Sequence, residues 1–198
     1  MAEISADLVK KLREMTGAGF MECKQALVAT GGDLEKAAEL NRKKGVEAAG
    51  KKASRATKEG WIGHYIHANG KIAVLVEVGC ETDFVARNDQ FQEFIRDLAM
   101  HVAATNPKSL APEDLDPAIV AKERELIAES DEVKNKPVQV RDKIIEGKMK
   151  RFFSEVCFLE QPFVKDDKVT IRELLSSKIA KIGENMSIRR FVRFELGS

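Results

Sequence analysis

Cysteine, histidine and long apolar runs are scarce in this sequence, and each scarcity excludes a class of protein. The three cysteines, Cys23, Cys80 and Cys157, lie far apart and form no Cys-x-x-Cys pair. This pattern argues against a disulfide framework and a structural zinc site, and it is typical of a reducing compartment. No apolar run is long enough to span a membrane. We therefore expect a soluble, cytoplasmic protein with no membrane partner.

The charges are balanced, with 33 Lys and Arg against 32 Asp and Glu and a net charge of +1. Such a balance gives no overall field to draw the protein onto nucleic acid. The chain of 198 residues is long enough for one medium domain or two small ones with a hydrophobic core.

Motifs of covalent catalysis are also missing. The sequence has neither G-x-S-x-G nor H-E-x-x-H. Residues 45–52 nearly match a phosphate-binding loop, but Lys52 replaces the hydroxyl that would hold magnesium and no strand precedes the segment. His64 and His67 are three residues apart on a predicted strand, so they should point to opposite faces. We expect no enzyme activity, no metal site, no cofactor and no direct small-molecule substrate.

Residues 1–45 are predicted to form three short helices. Ser5 and Asp33 are the predicted N-caps of the first and third helices, and the third should end before Gly45. Helices this small bury little apolar surface, so the unit should lean on the next domain or on a partner. Residues 46–60 are predicted to be a basic helical linker.

A change to alternating residues at Trp61 predicts the start of a sheet. Residues 61–67 and 71–78 read as two strands joined by a two-residue turn at Asn69-Gly70. A third antiparallel strand is predicted from Ser187 to Leu196. On it, one face should carry these residues: Ile188, Val192, Phe194 and Leu196.

Helical patterns fill the rest of the core. The predicted helices are residues 89–105, 118–130 and 138–153, and a helix that begins at a capping box of Thr170 and Glu173. The fold class is therefore predicted as α+β: a three-helix domain (1–45), a linker helix (46–60), and a core (61–198) in which helices pack on a small antiparallel sheet of about three strands.

The junction at residues 80–88 places the aromatic Phe84 among polar residues, between a predicted strand and a predicted helix. From the residues alone, two interpretations stay open. Phe84 could cover the end of the sheet as a core residue, or it could be displayed for a partner, as junction residues often are.

Five segments resemble known proteins. Residues 26–38 alone resemble a ubiquitin-associated domain, which would suit a ubiquitin-type adaptor. Residues 12–27 (LREMTGAGFMECKQAL) and 77–87 (EVGCETDFVAR), however, resemble the two signatures of the elongation factor Ts family, whose members begin with a domain of that fold. Residues 159–166 and 182–194 extend this resemblance over nearly the whole chain.

The resemblance implies a guanine-nucleotide exchange factor for elongation factor Tu. The implied residues that displace magnesium in the partner are Thr82, Asp83, Phe84 and Val85. The implied partner-binding residues are Gly17, Ala18, Gly19, Phe20, Met21, Lys24, Ala86, Arg87 and Asn88. The GTPase domain would be the partner, and no covalent chemistry would be needed.

Two further expectations concern assembly and an alternative function. Long members of the family carry two related core halves, whereas this chain shows one, so we expect a C2 homodimer. The alternative function is an RNA- or ribosome-binding module that uses the Lys- and Arg-rich residues 42–58.

Overall fold

The computed structural model describes residues 4–197, so the first three residues and Ser198 of the predicted domains lie outside it. Its α+β architecture confirms the predicted fold class. The helices are α1 (Ala6–Thr16), α2 (Phe20–Ala29), α3 (Leu34–Gly50), α4 (Asp83–Ala86), α5 (Asp89–Thr105), α6 (Pro117–Glu129), α7 (Asp131–Lys134), α8 (Val138–Val156) and α9 (Ile171–Ile182). The strands are β1 (Glu59–Ile66), β2 (Ile72–Cys80), β3 (Pro162–Phe163), β4 (Asp166–Thr170) and β5 (Met186–Glu195).

The main sheet has the order β1-β2-β5, and all its pairs are antiparallel. The predicted third strand is therefore confirmed. One face of the sheet is covered by α5, whose buried side chains meet Val74, Val76 and Val78 of β2. Gly63 allows this close packing, because a Cβ there would lie 2.2 Å from Ile95 Cγ2.

The first two helices and the start of α3 enclose a separate small core. Ser5 accepts a hydrogen bond from the N–H of Leu8, and Asp33 caps α3, so both predicted caps are confirmed. The buried residues of this unit are Val9, Leu12, Cys23, Ala26, Leu27, Ala37 and Ala38.

The prediction that the third helix ends before Gly45 is wrong, because α3 continues to Gly50. Gly45 lies where α3 packs against α9, and a Cβ there would be 3.9 Å from Ser177 Cα. A Cβ at that distance would make only an ordinary contact, and Gly45 lies within α3 without ending it. The domain boundaries predicted at residues 45 and 60 stay a proposal, and α3 runs through the one at residue 45.

The connection between β1 and β2 is longer than the predicted two-residue turn. The carbonyl of His67 accepts from the N–H of Gly70 at 2.7 Å, and Gly70 has a φ of 66°. Asn69 has no positive φ, whereas a two-residue type I′ turn needs one at both central positions. Residues 67–71 therefore form a longer loop.

The predicted face of β5 is also wrong. A bulge places Arg189 as an extra residue, because Val78 pairs with Ile188 while Glu77 pairs with Arg190. Beyond the bulge the inward and outward positions are exchanged. Ile188 is buried, whereas Val192 and Phe194 are 41% and 64% exposed on the opposite face.

The remaining helices α6, α7 and α8 form a peripheral hairpin. The bounds of α6 and α8 are close to those of the two helices predicted at residues 118–130 and 138–153. A small cluster of Ile127, Val133 and Met149 holds them together. The capping box of Thr170 and Glu173 begins α9, as predicted.

Candidate functional site

Phe84 is displayed and not packed. It lies in α4, the single turn between β2 and α5, and its side chain is 83% exposed, more than any other large apolar side chain in residues 4–197. Thr82 is the N-cap of α4, and its Oγ1 accepts from the N–H of Val85 at 3.4 Å. We call residues 82–86 the Phe84 turn. Its geometry favours display for a partner over a core role.

The polar residues on both sides of Phe84 are held by local contacts. The Asp83 carboxylate pairs with the Arg87 guanidinium at 3.2 Å, one helical turn away. Asn88 caps α5 by accepting from the N–H of Gln90. Ala86 is only 6% exposed and packs in the core, so its side chain supports the turn from inside. Its implied role in partner binding stays a prediction.

Two carboxylates fix the backbone beside the turn. Glu184 lies just after α9, and its Oε2 accepts from the N–H groups of Glu81 (3.1 Å) and Thr82 (3.0 Å). Its Oε1 accepts from the Thr82 hydroxyl at 2.6 Å. In return, Glu81 Oε1 accepts from the N–H of Asn185 at 2.6 Å. We call Glu81, Thr82, Glu184 and Asn185 the junction network.

No local pattern in the sequence indicates the junction network. Its partners are 103 residues apart in the chain for Glu81 and Glu184, so no spacing within an element could indicate the contact. Only the resemblance at residues 182–194 drew attention to the segment, and it assigned no role to Glu184.

The network extends to the segment after α3 and to a buried thiol. The Asn185 amide donates to the carbonyl of Arg55 at 2.7 Å. Cys80 Sγ donates to the carbonyl of Thr82 at 3.2 Å. Burial, aided by the charge of Glu184, raises the pKa of the Cys80 thiol to about 11. Cys80 is therefore a neutral donor here and not a reactive thiolate.

The N-terminal residues form a second exposed patch at the connection between α1 and α2. Gly17 ends α1 in the left-handed conformation, with a φ of 68°. Phe20 and Met21 begin α2 and are 47% and 61% exposed. We define the N-terminal patch as Gly17, Ala18, Gly19, Phe20, Met21 and Lys24.

The end of α9 adjoins both the N-terminal patch and the Phe84 turn. A Cβ at Gly17 would lie 3.7 Å from the Lys181 side chain. Three residues later, Glu184 holds Thr82. The C-terminal end of α9 therefore contacts both predicted groups of residues.

The sheet face opposite α5 is apolar and exposed. It carries Ile62 and Ile66 from β1, Leu75 from β2, and Val192 and Phe194 from β5, each between 41% and 64% exposed. We call these five residues the outer sheet face. Next to them, the Glu77 carboxylate pairs with the guanidinium groups of Arg189 and Arg190.

The basic segment at residues 42–58 is largely engaged in contacts within the chain. Side chains in hydrogen bonds or ion pairs there include Arg42 with Lys168, Lys43 with Glu39, Lys51 with Glu47, Lys52 with Ile179, and Arg55 with Glu81. Residues 45–50, which resembled a phosphate-binding loop, are helical. No observation on this segment favours the RNA-binding alternative.

Within residues 4–197, His, Cys, Asp and Glu side chains form no group of three that could hold a metal ion. In the same residues, every helix is too short or too polar to cross a membrane.

Comparison with known proteins covers nearly the whole chain. The family model described as Elongation factor TS matches residues 7–198. Elongation factor Ts of Nitratidesulfovibrio vulgaris is 56% identical over 195 residues, which are 98% of either chain. Elongation factor Ts of Solibacter usitatus is 54% identical over 197 residues, covering 100% of this chain and 93% of the relative. That of Carboxydothermus hydrogenoformans is 53% identical over 194 residues, covering 98% and 89%.

Proposed function

The chain belongs to the elongation factor Ts family, and on that premise we propose that it binds elongation factor Tu in its GDP-bound form and accelerates the release of GDP, so that GTP can bind. The observation that carries this proposal is Phe84, an aromatic side chain 83% exposed on a turn whose backbone is fixed by hydrogen bonds. Such a side chain can enter a partner without the turn itself yielding.

The Phe84 turn would act on the magnesium and phosphate site of the GTPase. A GTPase holds its nucleotide through backbone donors around the phosphates and through a magnesium ion that bridges protein and nucleotide. Insertion of Phe84, with Thr82, Asp83 and Val85 around it, would displace the groups that orient this ion. Weaker metal and phosphate contacts would raise the rate of GDP loss.

The N-terminal patch would grip the GTPase domain while Phe84 acts. Its exposed Phe20 and Met21 offer apolar contact area, and Lys24 offers a charge. Arg87 and Asn88 would add contacts beside Phe84. Binding at two patches would orient the Phe84 turn toward one position on the partner.

The coupling between the factor and the nucleotide must be reciprocal. If this protein lowers the affinity of the GTPase for GDP by some ratio, bound GDP lowers the affinity of the GTPase for this protein by the same ratio. Incoming GTP would therefore release the protein. The proposed role forms and breaks no covalent bond and needs no cofactor, and it places the protein in the cytoplasm with the translation machinery.

We also propose that two copies associate through the outer sheet face. The five exposed apolar side chains would be covered by the same face of a second copy, as C2 symmetry requires. The face lies on the opposite side of the sheet from α5, so association leaves the helical layer of the core unchanged.

The test of exchange is the dissociation of a fluorescent GDP analogue from elongation factor Tu, with the native chain, Phe84→Ala, or Ile119→Ala. Ile119 is a matched control, because it is an apolar residue that is 52% exposed on α6, a helix that packs on α7 and α8. We expect the native chain and Ile119→Ala to accelerate release equally. Phe84→Ala should lose about tenfold, or ~1.4 kcal/mol of transition-state stabilisation.

Two results would count against this proposal. If the native chain does not accelerate release, the exchange function is wrong. If all three proteins accelerate release equally, exchange is real but Phe84 is not the residue that causes it.

A further inference from the structure

We propose that Glu184 is a positioning residue for nucleotide exchange: its carboxylate holds the Phe84 turn in the orientation in which Phe84 can enter the partner. This inference rests on the proposed exchange function. Glu184 itself would not touch the nucleotide, the metal or the partner's reacting groups.

The first support is the number and type of hydrogen bonds that converge on one carboxylate. Glu184 accepts from two consecutive backbone N–H groups, those of Glu81 and Thr82, and from the Thr82 hydroxyl, all within 3.1 Å. Hydrogen bonds to an ionised acceptor are about twice as strong as those between neutral groups. These three bonds therefore fix the peptide that leads directly into the turn.

The second support is the direction of the Thr82 hydroxyl proton. A hydroxyl has one proton to donate, and a carboxylate can only accept. The proton of Thr82 Oγ1 therefore points to Glu184, which leaves the oxygen lone pairs free to accept from the N–H of Val85 at 3.4 Å. Through this relay, Glu184 orients the cap of the helical turn that carries Phe84.

The third support is that Glu184 is itself anchored. Gly183 ends α9 in the left-handed conformation, with its N–H donating to the carbonyl of Ile179. On the other side, the buried Asn185 donates its backbone N–H to Glu81 and its amide to the carbonyl of Arg55. Because both neighbours of Glu184 are held by hydrogen bonds, its carboxylate can keep its position when a partner binds against the Phe84 turn.

The consequence concerns the rate of exchange more than the affinity. Without the carboxylate, the N–H groups of residues 81 and 82 would turn to water, and the turn would sample more orientations. The N-terminal patch would still bind the GTPase, but fewer encounters would present Phe84 correctly. The maximal exchange rate should then fall while the apparent affinity changes little.

The test compares the native chain with Glu184→Ala, Glu184→Gln, Phe84→Ala and the double variant, over a range of factor concentrations. The control is Glu173→Ala, which removes another carboxylate that accepts a backbone N–H, at the opposite end of α9. Release of a fluorescent GDP analogue from elongation factor Tu gives the maximal rate and the half-saturating concentration. Urea unfolding confirms that each variant is folded.

We expect Glu184→Ala to lower the maximal rate about tenfold and to change the half-saturating concentration less than about threefold. Glu184→Gln should retain most of the rate, because its amide oxygen can still accept from the two N–H groups. Glu173→Ala should match the native chain. The double variant should be no slower than Phe84→Ala, because Glu184 acts through Phe84.

The outcomes separate this inference from the function on which it rests. A native chain that does not accelerate release overturns both. A native chain that accelerates release, with Glu184→Ala equally fast, overturns the role of Glu184 alone. The role is also overturned if Glu184→Ala and Phe84→Ala multiply their effects in the double variant, or if Glu173→Ala is as slow as Glu184→Ala.

Amide hydrogen exchange tests the same inference without the GTPase. The N–H of residues 81, 82 and 85 should lose protection by about tenfold or more in Glu184→Ala and keep it in Glu173→Ala. Unchanged protection at these three positions would show that the carboxylate does not hold the turn, and would overturn the inference.

Discussion

At Phe84, an exposed aromatic side chain stands on a backbone that is held in place. The turn is capped by Thr82, supported from below by the buried Ala86 and tied to Glu184 across the sheet end. Exposed apolar surface on an ordered element is typical of an interaction site. The ordering also reduces the conformational entropy that is lost when Phe84 enters the partner, which favours the exchange step.

A second residue, His101, should make stability depend on pH. It is fully buried in α5, where Nδ1 accepts from the N–H of Val164 and Nε2 therefore donates to Gln161 Oε1 at 3.0 Å. Burial lowers the pKa of this imidazole. As the pH falls, the unfolded chain binds the proton first, so the stabilisation is complete above about pH 6.5 and is lost below it, toward the lower folded pKa.

We expect the unfolding free energy of the native chain to fall between about pH 7 and pH 5, by at most ~1.4 kcal/mol per pH unit from this one group. The measurement is urea unfolding across that range for the native chain and His101→Gln. The variant should show the shallower dependence on pH. Equal slopes in the two proteins would mean that His101 is protonated as readily in the folded state as in the unfolded chain.

Residue by residue, the sequence indicates what is local and misses what is distant. Ser5 and Asp33 are recognisable from the sequence as caps, because a cap depends on residues two or three positions away. The position of Phe84 at a strand-to-helix junction is equally visible, but its exposure is not. That exposure and the role of Glu184 depend on packing between segments about a hundred residues apart in the chain.

At the scale of elements, two errors of prediction have the same physical origin. Glycine often ends helices, but Gly45 lies where α3 packs on α9, and packing between the two helices outweighs the weak local preference of glycine. The alternation of β5 predicts its faces correctly up to Arg189, where the bulge exchanges them. A bulge depends on the partner strand, here on Glu77 facing two arginines, and the pattern of β5 alone does not contain it.

The packing of α5 on β1 should be sensitive to a single methyl group. Gly63→Ala would place Cβ 2.2 Å from Ile95 Cγ2, so the helix or the strand must move. We expect a loss of ~1–3 kcal/mol in the unfolding free energy, as for other overpacked cores. Urea unfolding of the purified variant gives this value directly.

Gly147→Ala is the matched control for that substitution. Gly147 lies in α8, and a Cβ there would meet no atom within 4 Å. This variant should gain ~0.5–1 kcal/mol, because alanine is the better helix former. If Gly63→Ala were as stable as the native chain, the close approach of α5 and β1 would not be a constraint on the fold.

At the scale of the whole molecule, the outer sheet face predicts the oligomeric state. We expect light scattering at micromolar concentration to give twice the chain mass of 22.0 kDa. Phe194→Glu should give the mass of a single chain, since a carboxylate would have to be buried in the interface without a partner. A single-chain mass for the native protein would exclude the proposed dimer.

The matched control for Phe194→Glu is Ile119→Glu. Ile119 is also an exposed apolar residue, 52% accessible on α6, and lies outside the sheet. It should keep the mass of the native protein. If both substitutions gave single chains, loss of the dimer could not be assigned to the outer sheet face.

The continuity of α3 sets the geometry between the two patches. A helix of 17 residues measures about 25 Å at a rise of 1.5 Å per residue, and α3 belongs to the N-terminal core at one end and packs on α9 at the other. Inserting one residue into it would turn the N-terminal unit by about 100° around the helix axis. Gly17 lies beside Lys181 and Thr82 is held by Glu184, so such a turn would separate two patches that now meet at the end of α9. We therefore expect a lengthened α3 to leave each patch intact but to prevent one partner from binding both.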